Sequence, residues 1–159
     1  MFNRKRSQAI FQTKKLTLAL TLLSLTGCVT TPPPVQPVAL QSQKVSISAE
    51  PSELYYAAQQ CVLDNISAPL TGQLFTFQSE KNESLAFVYS GSIAVPIGFT
   101  TGHRDFRATI RFEGKTGIFK PQNVKVGLGR NNVAEHNAEA NSRVNRMVKR
   151  LANCVPAYI

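Results

Sequence analysis

The stretch Arg104–Glu113, RDFRATIRFE, decides the fold. From Phe106 onward, its apolar side chains alternate with polar and charged ones. Successive side chains of a β-strand point to opposite faces of the sheet, so this alternation predicts a strand with one buried and one solvated face. The predicted buried face consists of Phe106, Ala108, Ile110 and Phe112. The predicted solvated face consists of Arg107, Thr109, Arg111 and Glu113.

Three further segments predict strands beside this one. Gly114–Gly117 reads as a turn into a partner strand over Ile118–Leu128. Pro121 lies in that partner and cannot donate a ladder hydrogen bond, which indicates an edge strand, a bulge or a break. Gln73–Gln78 and Leu85–Tyr89 are rich in residues that favour strands.

Two amphipathic helices are predicted on either side of the strands. The first begins near Ser48 or Pro51 and ends between Asn65 and Gly72, and the second follows Asn131 or Asn132. The apolar stripe of the first contains Leu54, Ala58, Cys61 and Val62. The apolar stripe of the second contains Val133, Ala140, Val144, Met147, Leu151 and Cys154.

These elements predict one α+β domain over residues 48–159. We expect a four-stranded antiparallel sheet with the N- and C-terminal helices packed on one face, in the order α-β-β-β-β-α. This arrangement brings Cys61 and Cys154 onto neighbouring helices. A disulfide between them is expected in an oxidising compartment, and two buried free thiols are the alternative.

The N-terminus has the pattern of an export signal. Met1–Lys15 contains five basic residues and no acidic one, and the apolar stretch Leu16–Leu25 that follows is too short to span a bilayer. Leu25-Thr26-Gly27-Cys28 closes it and resembles the lipobox of bacterial lipoproteins. The resemblance implies cleavage before Cys28, a lipid on its sulfur and a signal peptide over residues 1–27. An uncleaved anchor with a free Cys28, or an ordinary cleaved signal, is the alternative.

The same resemblance implies a location. Val29 follows the cysteine where an inner-membrane retention signal would have Asp, which favours the outer membrane with the domain facing the periplasm. Residues 28–47 are rich in proline and small or polar residues and predict a tether between lipid and domain.

The net charge is only weak evidence for a nucleic-acid partner, and we expect none. The formal charge is +9, but five of the eighteen basic residues and none of the nine acidic ones precede Cys28, which leaves +4 after cleavage. Recognition of RNA also asks for aromatic side chains among the charges, whereas here the aromatic residues alternate to the opposite face. The expected partners are therefore a membrane, through the lipid, and another envelope protein.

The order of elements resembles that of small bacterial lipoproteins with a TATA-binding-protein-like, helix-grip domain. The resemblance covers roughly Ala49 to Cys154 and rests on element order and on the charged hairpin around Phe112–Phe119. It implies a scaffold that binds a ligand or partner, and it assigns no functional residues.

Two groups of residues are candidates for partner binding. Ile93, Val95, Ile97 and Phe99 belong to an apolar segment that is either an exposed contact loop or an irregular strand extension folded over the core. Arg107 and Arg111, with Lys120 or Lys125, would form an anion-binding strand face or simply a solvated one.

Catalysis has less support in the sequence. His103 and Asp105 could form an acid–base pair or hold a metal in a hydrolase or metal-dependent enzyme, but two residues do not define a site. We therefore predict no catalytic residues, no metal and no cofactor. The favoured hypothesis is a membrane-anchored envelope lipoprotein that binds or scaffolds another envelope component. A structural envelope lipoprotein without a dedicated ligand is the alternative.

Overall fold

A computed structural model describes residues 36–67, 72–97, 99–127 and 133–159. Cys28, the predicted signal peptide and the first part of the tether lie outside the described residues. In chain order the elements are β1 (Gln43–Lys44), α1 (Pro51–Asn65), β2 (Phe75–Ser79), β3 (Ser84–Ile97), β4 (Thr100–Glu113), β5 (Ile118–Val126) and α2 (Val133–Cys154), with a short 3₁₀ helix at Val155–Tyr158.

The strands form one antiparallel sheet in the order β1-β5-β4-β3-β2. β4, which contains the alternating stretch, is the central strand and pairs with β3 on one side and β5 on the other. The class is therefore α+β with an antiparallel sheet and two α-helices, as predicted from the sequence.

The sheet has five strands, and the prediction of four was wrong. Gln43 pairs with Phe119 and Lys44 with Ile118, and the next amide, that of Val45, donates a hydrogen bond to the Gly117 carbonyl at 2.8 Å. The predicted tether, residues 28–47, therefore overlaps the folded domain. A strand of two residues is too short to show alternation, so its pairing could not be predicted from the pattern.

One hydrophobic core lies between the sheet and the two helices. The four apolar residues of β4 are all buried, and both predicted helical stripes contribute to the same cluster. α1 begins at Pro51, one of the two starts predicted, with the Glu50 amide donating to the Glu53 carboxylate at 3.3 Å. The largest fully buried side chains include Phe87, Phe106, Phe112, Phe119, Leu85, Ile110 and Leu151.

β3 and β4 form a long hairpin that extends past the other strands. Their pairing runs from Ser84–Glu113 to Ile97–Thr100. β2 pairs with β3 only as far as Phe87, and β5 pairs with β4 only as far as Phe106. We call the extension, Ile93–Ile97 with Thr100–Arg104, the β-arm. β3 is therefore much longer than the strand Leu85–Tyr89 that was predicted from the run of apolar residues.

A disulfide joins the two α-helices. Cys61 of α1 and Cys154 of α2 are bonded, with their Cα atoms 5.9 Å apart and a sequence separation of 93. Cys61 is fully buried in the core. The predicted proximity of the two helices is therefore confirmed, and the bond fixes the last turn of α2 against α1.

We expect loss of this disulfide to destabilise the domain strongly. A closed loop of this length stabilises by about 4 kcal/mol in the loop-entropy model. The double variant Cys61→Ala/Cys154→Ala should lose about that much free energy of unfolding in urea titrations. Reduction of the wild-type protein should give a similar loss, and an unchanged midpoint in both experiments would contradict the assignment.

Candidate functional site

The outer face of the sheet, opposite the two helices, carries two pairs of like charges. Arg107 of β4 pairs directly with Lys125 of β5, and Arg111 pairs directly with Lys120. Directly opposed side chains of antiparallel strands lie about 5 Å apart at their Cβ atoms, and like charges so placed repel. An anion beside each pair would offset this repulsion.

The Arg111–Lys120 pair has an anion within the chain. Lys120 Nζ lies 3.0 Å from Glu113 Oε2, and Arg111 Nε lies 3.9 Å from Glu113 Oε1. The hydrogen bond from Lys120 lowers the pKa of Glu113, and the charges of Lys120 and Arg111 act in the same direction against the effect of burial. The carboxylate therefore stays ionised and balances this end of the face.

The Arg107–Lys125 pair has no such anion among the described residues, where neither side chain is within 4.0 Å of a carboxylate. The pair borders a groove of about 460 Å³, which we call the Arg107 groove. Hydroxyl, amide and cationic groups surround an apolar floor at Val88, which is buried. The lining residues are Thr76, Val88, Arg107, Thr109, Asn123 and Lys125.

A β-bulge in β5 places Lys125 in this groove. Thr109 pairs with Gln122 and Arg107 with Lys125, so β5 has one residue more than β4 over this interval. Asn123 has a φ of 51°, in the left-handed region that Asn tolerates better than most residues. Without the extra residue, Lys125 would be opposite Phe106 and would face the core. Pro121 indicated an edge strand, a bulge or a break in this strand, but the sequence did not specify the position of the bulge or the face on which Lys125 would lie.

The predicted apolar contact segment is divided between core and solvent. Ile93 and Val95 lie on β3, where their side chains are buried in the core at 0% and 2% exposure. For these two residues the structure agrees with the strand extension and not with an exposed loop. Ile97 is the last residue of β3 and pairs with Thr100. Phe99, at the tip of the hairpin, is fully exposed.

Arg107 and Arg111 are exposed on the outer face, as predicted. His103 and Asp105 are also exposed on this face, four and two residues before Arg107 on β4. No group of three or more His, Cys, Asp or Glu side chains able to hold a metal ion occurs in the described part of the chain. The catalytic hypothesis for His103 and Asp105 stays a prediction.

A second concavity, of about 300 Å³, lies between α2 and the base of the β-arm. It is lined by Ile93, Ala94, Glu135, His136, Glu139 and Arg143. Arg143 is already engaged, since its Nε contacts Glu139 Oε1 and its Nη1 donates to the Ser92 carbonyl, both at 2.9 Å. His136 is buried at 8% exposure. These contacts fasten α2 to β3 and indicate a structural role.

No described helix is long and apolar enough to span a bilayer. Comparisons of the chain with models of protein families, with curated proteins and with solved structures find no match.

Proposed function

We propose that the protein is a bacterial envelope lipoprotein whose domain binds another envelope protein through the Arg107 groove. In this proposal residues 1–27 are a signal peptide, Cys28 carries the lipid, and the domain faces the periplasm from the outer membrane. The observation that carries the binding role is the pairing of Arg107 with Lys125 without a carboxylate partner among the described residues.

Anchoring at Cys28 is supported by the basic and apolar N-terminus and by the lipobox-like Leu25–Cys28. The eight Cα–Cα steps from Cys28 to Gln36 span at most about 29 Å when the chain is fully extended. A lipidated Cys28 would therefore hold the domain close to the headgroups. The resemblance of residues 49–154 to helix-grip lipoproteins is part of the same proposal and agrees with a binding scaffold.

Export to the periplasm is supported by the disulfide. Disulfides persist in oxidising compartments and are rare in the bacterial cytoplasm. The bond between Cys61 and Cys154 joins the two helices of the core. A domain built around such a bond suits the compartment to which the N-terminal sequence would direct it.

The chemistry of the Arg107 groove favours a partner that presents carboxylates. Arginine donates two parallel hydrogen bonds to a carboxylate, and a nearby lysine adds a second positive charge. The Thr109 hydroxyl and the Asn123 amide can complete the hydrogen bonding, and Val88 offers an apolar contact. We assign the groove to an acidic segment of an envelope protein.

The anchoring part of the proposal is tested at the cysteine. In the host, Cys28→Ala should abolish labelling by radioactive palmitate and leave a longer, unprocessed precursor. Cys61→Ala leaves the lipobox intact and serves as the matched control, so it should still be labelled. Labelling of Cys28→Ala at the wild-type level would contradict the proposal.

The binding part is tested by crosslinking from inside the groove. A photo-crosslinking amino acid at Thr109 should capture an envelope protein in intact cells. Adding Arg107→Ala and Lys125→Ala should reduce capture about tenfold, which corresponds to about 1.4 kcal/mol of lost binding free energy.

The matched control is Lys149→Ala/Arg150→Ala, which removes the same number of exposed cations from α2. This control should capture the partner as well as the wild type does. Equal capture by the groove variant, or adducts formed only with lipid or polysaccharide, would contradict the assignment.

A further inference from the structure

We infer that the tip of the β-arm, with Phe99 at its end, inserts into the lipid surface and gives the protein a second contact with the membrane. The inference rests on the proposed lipid anchor at Cys28. It concerns a different part of the domain from the Arg107 groove.

The tip presents an apolar side chain to solvent. Ile97 pairs with Thr100, so only residues 98 and 99 lie between the two strands. The Phe99 side chain is fully accessible, whereas the next most exposed large apolar side chains among those that the structure describes, Tyr56 and Ile159, are each only 52% exposed. In the sequence, Pro96-Ile97-Gly98-Phe99 includes no polar side chain.

The first described residues of the chain, from Gln36 onward, lie toward the same end of the domain. Asn145 of α2 donates to the Ala39 carbonyl at 2.9 Å, and one turn earlier in α2 Asn141 donates to the Val38 carbonyl at 2.7 Å. The middle of α2 is fastened to the base of the β-arm, where Arg143 donates to the Ser92 carbonyl. Val38 therefore lies near the level of that base, with the chain directed toward the tip.

The register of the sheet gives the same direction independently. β1 is antiparallel to β5, and residues before Gln43 run beside β5 in the direction of Val126. Val126 pairs with Phe106, immediately before the β-arm. From Ser92 to Phe99 the arm can extend about 23 Å at 3.3 Å per residue. This is less than the reach of about 29 Å of the extended chain from Cys28 to Gln36.

Charge along the arm suits an anionic lipid surface. The sequence from Ser84 to Arg104 contains no acidic residue, and Arg104 lies on the returning strand, directly before Asp105. Basic residues near the cytoplasmic leaflet are attracted by about 1 kcal/mol each, and the same electrostatics apply to any anionic headgroup layer.

The small size of the tip favours lipid over a protein as its occupant. A specific protein interface buries about 1,200–2,000 Å² in total, far more than the end of one hairpin offers. Burial of one Phe side chain contributes about 1.5–3 kcal/mol, which is weak for a free protein. For a chain already held at the membrane, insertion is intramolecular and an effective concentration of about millimolar applies.

The absence of tryptophan from the chain allows a direct test. Phe99→Trp introduces a single tryptophan at the tip. The lipidated full chain is reconstituted into vesicles of phosphatidylethanolamine and phosphatidylglycerol with brominated acyl chains. We expect the emission of the Phe99→Trp variant to shift to shorter wavelength and to be quenched relative to vesicles without bromine.

Phe77→Trp is the matched control, because Phe77 is an exposed phenylalanine on β2, away from the arm. Its emission should be unchanged by bromination. Equal quenching of both variants, or no quenching of Phe99→Trp in a preparation that carries lipid on Cys28, would overturn the contact at the tip while leaving the anchor. Absence of lipid from Cys28 in that preparation would overturn both the anchor and the inference built on it.

Discussion

Burial of one face of β4 is the constraint on which the rest of the structure depends. β4 has hydrogen-bonded strands along both edges, so its apolar residues can leave water only if other elements cover that face. α1 and α2 provide the cover, and the bond between Cys61 and Cys154 joins them. Because side chains alternate, the same burial directs Arg107 and Arg111 to the opposite face, which neither helix covers.

The proposed functions follow from what this arrangement leaves uncovered. On the outer face, Glu113 balances one pair of cations, and the bulge at Asn123 turns Lys125 toward Arg107 to form a second pair. At the end of the sheet, β3 and β4 extend past the neighbouring strands, and Phe99 is exposed to solvent. The first feature suits an acidic partner, and the second suits the lipid to which the chain would be tethered.

Strong periodicity made much of the fold predictable. The alternation of β4 and the helical stripes of α1 and α2 were predicted from residue spacing. The pairing of Cys61 with Cys154 was expected from the order of elements and the number of cysteines, with two free thiols as the alternative. The missed features lack a local pattern. β1 has two residues, and β3 continues past Tyr89 through Gly91 and Pro96, which sequence propensity argues against. Neighbouring strands and the overlying helix decide both outcomes.

The site was predictable in part for the same reason. Arg107 and Arg111 follow from alternation, and their exposure was expected. Lys125 was predicted only as an alternative to Lys120, because the face of the sheet on which Lys125 lies depends on a one-residue bulge in β5. Ile93 and Val95 were predicted as candidate contact residues. They are buried because other elements of the core cover β3, and this packing cannot be predicted from the local sequence.

β4 has one buried face and one open face, and the same substitution at two adjacent residues of β4 tests this difference. The measurement is the free energy of unfolding, by urea denaturation, of Ala108→Asp and Arg107→Asp. Ala108 is fully buried, so an unpaired carboxylate there should cost several kcal/mol, comparable to the whole stability of a small domain. Arg107→Asp should leave the free energy of unfolding within about 0.5 kcal/mol of wild type, as is usual for surface substitutions. Similar losses in the two variants would contradict the account.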